Sequence, residues 1–126
     1  MKLLIFDTET TSIKPGHICQ LSYITIDAST KPQQTIGKNY FFTVDEMDPA
    51  AEAVHGFSLE KLYDLSNGQY IEDLTEEFIN DFSEADFVIG HNVNFDVRFL
   101  KLELEAMGID YEPKNMFCTM QYYRDI

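Results

Sequence analysis

The chain has no tryptophan, two cysteines, and few residues that break regular structure, with Gly 6 and Pro 4 among 126. So little glycine and proline, beside 44% hydrophobic and 25% charged residues, excludes a collagen-like, low-complexity or disordered polypeptide. Long hydrophobic runs are also missing. Nothing approaches the roughly 18 uncharged apolar residues of a bilayer-spanning helix. The opening Met1-Lys2-Leu3-Leu4-Ile5-Phe6 meets Asp7 well before the ~7 apolar residues of an export signal. A cytoplasmic protein with no membrane partner is expected. Basic residues are scarce, 9 Lys and Arg against 22 Asp and Glu, which gives a net charge of −13. An acidic surface repels nucleic acid and anionic membranes and argues against a high-affinity electrostatic clamp. It does not exclude an enzyme that meets phosphates through divalent cations. Cys19 and Cys118 have no C-x-x-C spacing and read as buried free thiols of a reducing compartment, not as a disulfide or metal site.

The length suits one domain. Residues 2–8 read as a strand apolar on both faces, which belongs in the middle of a covered sheet. Thr11 to Gly16 is loop, punctuated by Pro15-Gly16. Residues 17–28 form a second strand rich in β-branched and aromatic side chains, Ser29 to Lys38 a polar connection, and Asn39 to Val44 a third strand, the three forming a meander. Helical patterning follows. Asp48-Pro49 opens a short helix, and Ser58 caps another. Tyr70 to Ala85 carries Leu74, Phe78, Ile79 and Phe82 on one stripe. Asp86 to Gly90 is a fourth strand, Asn94 caps a helix running to Met107 before Gly108, and Met116 to Thr119 is a fifth strand. The order predicts an α/β fold with a mixed five-stranded sheet flanked by helices.

In Leu4-Ile5-Phe6-Asp7-Thr8-Glu9-Thr10 the side chains of Asp7 and Glu9 lie two apart and share a face of the strand. Two carboxylates at the end of a buried apolar run raise one another's pKa unless cations neutralise them. A solvated strand end is the plain alternative; a hard divalent cation, Mg²⁺ or Mn²⁺, is the better account. In Gly90-His91-Asn92-Val93-Asn94-Phe95-Asp96 the last residue falls in the first turn of a helix, where the helix N-terminus favours an ionised, cation-ready carboxylate. Read alone, Asp96 is better explained as a complement to the helix dipole.

Together the two segments resemble the DEDD (DnaQ-like) 3′–5′ exonuclease superfamily, in its proofreading, epsilon-like branch. Asp7-x-Glu9-Thr10 looks like its first motif and Gly90-His91-Asn92-x-x-Phe95-Asp96 like its second, while Val54-His55-Gly56-Phe57 and the stretch from Phe117 to Thr119 also sit where relatives have similar residues. The resemblance implies a ribonuclease H-like fold and hydrolysis of phosphodiester bonds from the 3′ end of a single-stranded or frayed nucleic acid, DNA in first place. It implies two Mg²⁺ or Mn²⁺ ions, a polymerase or helicase as the larger context, and Asp7 shared by both metals. Glu9 would hold the ion carrying the attacking water, and Asp96 would bind directly or through water. Thr8 and Thr10 would contact the terminal nucleotide, and His55, Phe57, Asn92 and Phe95 would shape the pocket or stack on a base. For Phe95 the apolar stripe with Phe99 and Leu102 makes core packing the stronger reading; His91 supports no assignment.

The family's third motif, His-x-Ala-x-x-Asp or Tyr-x-x-x-Asp, supplies a fourth carboxylate and a general base. His91 and Asp96 have the spacing, but Asp96 belongs to the second motif and Val93 stands in place of Ala. Tyr23 to Asp27 lies too early, on the second strand, and Tyr122 to Asp125 has the wrong spacing. The domain over 1–126 is therefore expected to be incomplete at its C-terminus and nearly inactive by itself, with an apolar sheet face exposed near Met116 to Thr119. Ser12 stands where relatives usually have glycine. Two other readings compete. A haloacid-dehalogenase-like phosphatase also has two acids two apart after its first strand, but follows that strand with a helix. A non-catalytic exonuclease-fold module would bind a partner without binding metal.

Overall fold

Leu4, Phe6 and Thr8 are buried and alternate with exposed Ile5 and Asp7, so strand β1 (Lys2–Thr10) buries one face. β2 (Ile18–Asp27) pairs antiparallel with β1, placing Phe6 opposite Tyr23 and Ile5 opposite Ile24, and β3 (Gln34–Phe41) pairs antiparallel with β2. This is the expected meander. Its opening hairpin also removes the phosphatase alternative, which needs a helix after the first strand. The computed structural model describes residues 1–12 and 16–120. Tyr122 to Asp125, considered above as a third motif, lies outside the described residues.

Three helices follow the meander. α1 (Pro49–His55) is capped by Asp48, whose Oδ1 accepts from the Ala50 amide at 2.9 Å. α2 (Leu59–Ser66) is capped by Ser58, which accepts from Lys61 N–H at 3.1 Å. α3 (Ile71–Glu84) buries Leu74, Phe78 and Phe82 along the anticipated stripe, with Ile79 at its margin. β4 (Phe87–Gly90) then enters parallel to β1, α4 (Val93–Ala106) follows, and β5 (Met116–Cys118) pairs parallel with β4. The sheet order is β3-β2-β1-β4-β5, with β1 at the centre. No helix among the described residues is long and apolar enough to cross a membrane.

The core lies between one face of the sheet and α3 and α4. Phe82 meets Phe6 and Tyr23 edge-on, with ring centroids 5.2 Å apart in both pairs, while Leu100 and Leu104 of α4 are fully buried. The opposite face departs from the sequence expectation. β1 is central, but Ile5 and Ile24 are 40% and 43% exposed, so the run Leu3 to Phe6 does not mark a strand covered on both sides. Phe117 and Met116 of β5 are exposed as well, in agreement with the patch anticipated there.

Boundaries shift in two further places. β3 begins at Gln34, inside the segment read as a connection, because an edge strand needs only backbone pairing with β2 and no apolar pattern. α4 starts at Val93, with Asn92 as the capping position instead of Asn94. The Asn92 carbonyl accepts from both Phe95 and Asp96 amides, at 3.1 and 3.2 Å.

Candidate active site

Chain geometry at the end of β1 puts the first motif where three elements meet. Asp7 projects to the open face of the sheet, Thr8 to the helix side, and Glu9 emerges half-buried just before a register shift between Glu9 and Thr10. From the helix side the first turn of α4 brings in Asp96, which is 5% exposed and accepts a hydrogen bond from the Thr8 hydroxyl at 2.5 Å. Gly90 makes that approach feasible: a Cβ there would stand 3.3 Å from the Phe6 carbonyl oxygen and from Val93.

Glu9 and Asp96 are perturbed by burial and by neighbouring acids. Burial pushes the Asp96 carboxyl up to about 6; the Thr8 hydrogen bond opposes the rise, and the charges of Asp7 and Glu9 add to it. Glu9 is raised by burial first and then by the charge of Asp7. Burial and like charge thus raise Asp96, contrary to the ionised carboxylate expected from its first-turn position. Among the described residues no three His, Cys, Asp or Glu side chains already converge into a chelating group. Asp7 and Glu9 alternate with buried Thr8 along β1 and line different recesses, whereas Asp96 is tied to Thr8 itself. The donor set itself, three carboxylates with unmet negative charge, suits a hard divalent cation.

Two recesses flank these acids. A groove of about 790 Å³ on the open sheet face is lined by Asp7, Ile5, Ser22, Asn39, His91 and Thr119 among others. A smaller recess of about 310 Å³ lies between Glu9, Thr10 and Ser12 on one side and Ala51, Val54 and His55 of α1 on the other. His55 and Phe57 stand together beside it, stacked with centroids 5.3 Å apart, and Phe57 also meets Phe41 edge-on and carries the Lys61 ammonium 5.5 Å above its ring. Asn92 is exposed and lines neither recess. Phe95 packs on Phe99 at 4.7 Å against the core, the stronger of its two sequence readings.

Sequence reasoning passed over Thr11, His17 and Glu103. The Thr11 amide donates to the His17 carbonyl, and the Thr11 hydroxyl accepts from the His17 amide. The His17 ring nitrogen Nδ1 lies 2.6 Å from Glu103 Oε1. Glu103 is buried on α4 next to fully buried Leu104, and burial raises its carboxyl while His17 opposes the shift. An acid inside the apolar stripe of a helix was the available signal. Cys19 is buried as expected and its thiol is pushed up to about 12, chiefly by burial; Cys118 is only half-buried.

Known proteins share the sequence pattern and fold of this chain. A family model described as exonuclease (RNase T) matches residues 4–126. The DNA polymerase III subunit epsilon of Salmonella typhimurium is 31% identical over 123 residues, covering 93% of this chain and 49% of that protein. The chain thus spans about half the length of the curated epsilon relatives it matches. A crystal structure of E. coli exonuclease I in complex with a dA16 oligonucleotide superposes with a TM-score of 0.81 at 16% identity, over 98% of this chain and 29% of that one. A zinc-ion-bound form of the E. coli exonuclease I–ssDNA complex gives 0.80 at 16% identity, over the same shares. At that identity the two structures establish the fold.

Proposed function

The chain belongs to the DEDD (DnaQ-like) 3′–5′ exonuclease family, and from that premise we propose that it is the metal-binding core of an enzyme that removes nucleotides from a nucleic-acid 3′ end. One observation carries the reading. The hydroxyl of Thr8, which stands between Asp7 and Glu9 in β1, donates to Asp96 of α4 at 2.5 Å, so the two acidic motifs meet at one point of the fold. Structural ion pairing does not explain them, since no Lys or Arg is bonded to any of the three among the described residues.

Divalent metal ions belong to the chemistry of this family, and the finer proposal is two Mg²⁺ or Mn²⁺ ions held by Asp7 and Glu9 with Asp96. Bound there, they would supply a water acidic enough to attack and neutralise charge on the leaving 3′ oxygen. The chain's own residues would hold and orient those ions. Asp7 and Glu9 present charge on either side of Thr8, and Thr8 orients Asp96 through its hydroxyl. Thr10, His55 and Phe57 line or border the recess beside Glu9, where a terminal nucleotide finds a backbone carbonyl, a small apolar wall and an aromatic pair. Asn92 and Phe95 are the weaker members of the proposed substrate contacts.

The substrate proposed is a single-stranded or frayed end, DNA in first place, and the partner a polymerase, in line with the epsilon relatives. An oligonucleotide labelled at its 5′ end tests the reading. In Mn²⁺ the complete protein should shorten it stepwise from the 3′ end while residues 1–126 alone stay nearly inactive, and Asp7→Ala in the complete protein should reduce the rate by at least ~10³. Undiminished hydrolysis by Asp7→Ala refutes the assignment. A non-catalytic module is the second reading, favoured by the lack of a preformed chelating group among the described residues. It predicts no saturable Mn²⁺ binding.

A further inference from the structure

Helix α1 is fastened to the exit of β1 at both ends. At its start the Asp48 amide donates to the Thr11 carbonyl at 2.9 Å. At its end His55 Nε2 lies 3.1 Å from the Thr10 carbonyl oxygen. The ring's other nitrogen is also occupied: the Phe57 amide donates to His55 Nδ1 at 3.0 Å. That return of the chain requires Gly56, whose φ of 76° is the left-handed conformation that glycine adopts without strain.

These two contacts settle the tautomer. An amide can only donate, so Nδ1 is the acceptor and carries no proton. A carbonyl can only accept, so Nε2 carries the hydrogen and donates it to Thr10. The ring is held a third way, by stacking on Phe57. Thr10 is the residue at which the β1–β2 register shifts, immediately after Glu9. A strand irregularity of this kind re-aims the neighbouring side chain, and here that side chain is the second acid of the site.

We propose that His55 is a positioning residue: its Nε2–H holds the Thr10 carbonyl, fixes the irregularity at Glu9–Thr10, and so sets the direction of the Glu9 carboxylate toward its cation. The proposal rests on the carboxylate reading above and assigns His55 a role through the backbone, distinct from contact with a base. It also gives the segment Val54-His55-Gly56-Phe57 one mechanical purpose, since His55 supplies the ring, Gly56 the turn and Phe57 the amide that orients it.

Two conservative variants separate the ring's two contacts. Gln at position 55 places an amide N–H near the position of Nε2 and keeps the bond to Thr10; Asn places its polar atoms near Nδ1 and keeps only the Phe57 side. Mn²⁺ titration calorimetry of the full chain, each variant held below its own melting temperature, should show His55→Gln within about threefold of wild type. His55→Asn and His55→Ala should bind roughly 10- to 100-fold more weakly, the usual effect of losing a group that orients a metal ligand. Equal affinity in His55→Asn and wild type, or equal loss in His55→Gln and His55→Asn, overturns the proposal. If wild type itself binds no Mn²⁺, the carboxylate reading fails first and the positioning role with it. Long-range ¹H–¹⁵N correlation on wild type gives an independent readout: an Nε2-protonated, neutral His55 is expected, and an Nδ1-protonated ring contradicts the contact to Thr10.

Discussion

The Thr8 hydroxyl reaches Asp96 across 88 positions of sequence, and that bond joins the first motif to the second. Its consequence is measurable without substrate. The Asp96 carboxyl is raised from its ordinary 3.8 to about 6, so the folded protein holds this proton more tightly than the unfolded chain does. Stability of the metal-free protein is therefore highest below about pH 4 as far as this group is concerned, and is lost as pH rises through about 6. Two pKa steps correspond to a ceiling of about 3 kcal/mol. Glu9 and Glu103 are raised too and act with the same sign. Urea denaturation in EDTA should accordingly show a lower midpoint at pH 7.5 than at pH 5. Asp96→Asn should raise the midpoint at pH 7.5 and flatten the pH dependence; a lower midpoint in that variant would contradict the assignment.

Among the elements, α1 decides how the recess beside Glu9 is walled. Its caps are local and exposed, so their loss should weaken the fold modestly. Asp48→Ala should cost about 1 kcal/mol by removing the bond to the Ala50 amide. Gly56→Ala should cost about 1 kcal/mol through its left-handed φ of 76°. Thermal unfolding checks both; no change in Gly56→Ala would mean the turn is not held as described. Elements with a strong periodic pattern were legible beforehand. Leu74, Phe78 and Phe82 announce α3, and the β-branched run after Ile18 announces β2. The start of β3 was not, because Gln34 to Lys38 carries a single large apolar residue, Ile36, and its strand geometry comes from pairing with β2. The site divides in the same way. Asp7 and Glu9 are visible as a pair of acids from spacing alone. The Thr8–Asp96 bond, the His55–Thr10 contact and the His17–Glu103 pair join residues 88, 45 and 86 positions apart, and no local pattern encodes them. The two-sided burial expected of β1 failed for a related reason: consecutive apolar residues report hydrophobicity, not which layers pack on them.

On the scale of the whole molecule, the net charge of −13 sets the terms for any contact with nucleic acid. A surface of that sign repels phosphates, and the basic residues do little to offset it, since Lys2, Lys38, Lys101 and Lys114 are each paired with a carboxylate. Under the proposed function, this domain would attract a 3′ end through cations gathered at Asp7, Glu9 and Asp96, which would turn a repulsive pocket into an attractive one. The proposed function requires those acids to act together as a metal site. Calorimetric titration of Mn²⁺ into wild type and Asp7→Ala, both folded and at neutral pH, tests this most directly. Saturable binding of more than one ion per chain in wild type, abolished in Asp7→Ala, is the predicted result. Identical titrations of the two proteins, or no saturable binding by wild type, would contradict it.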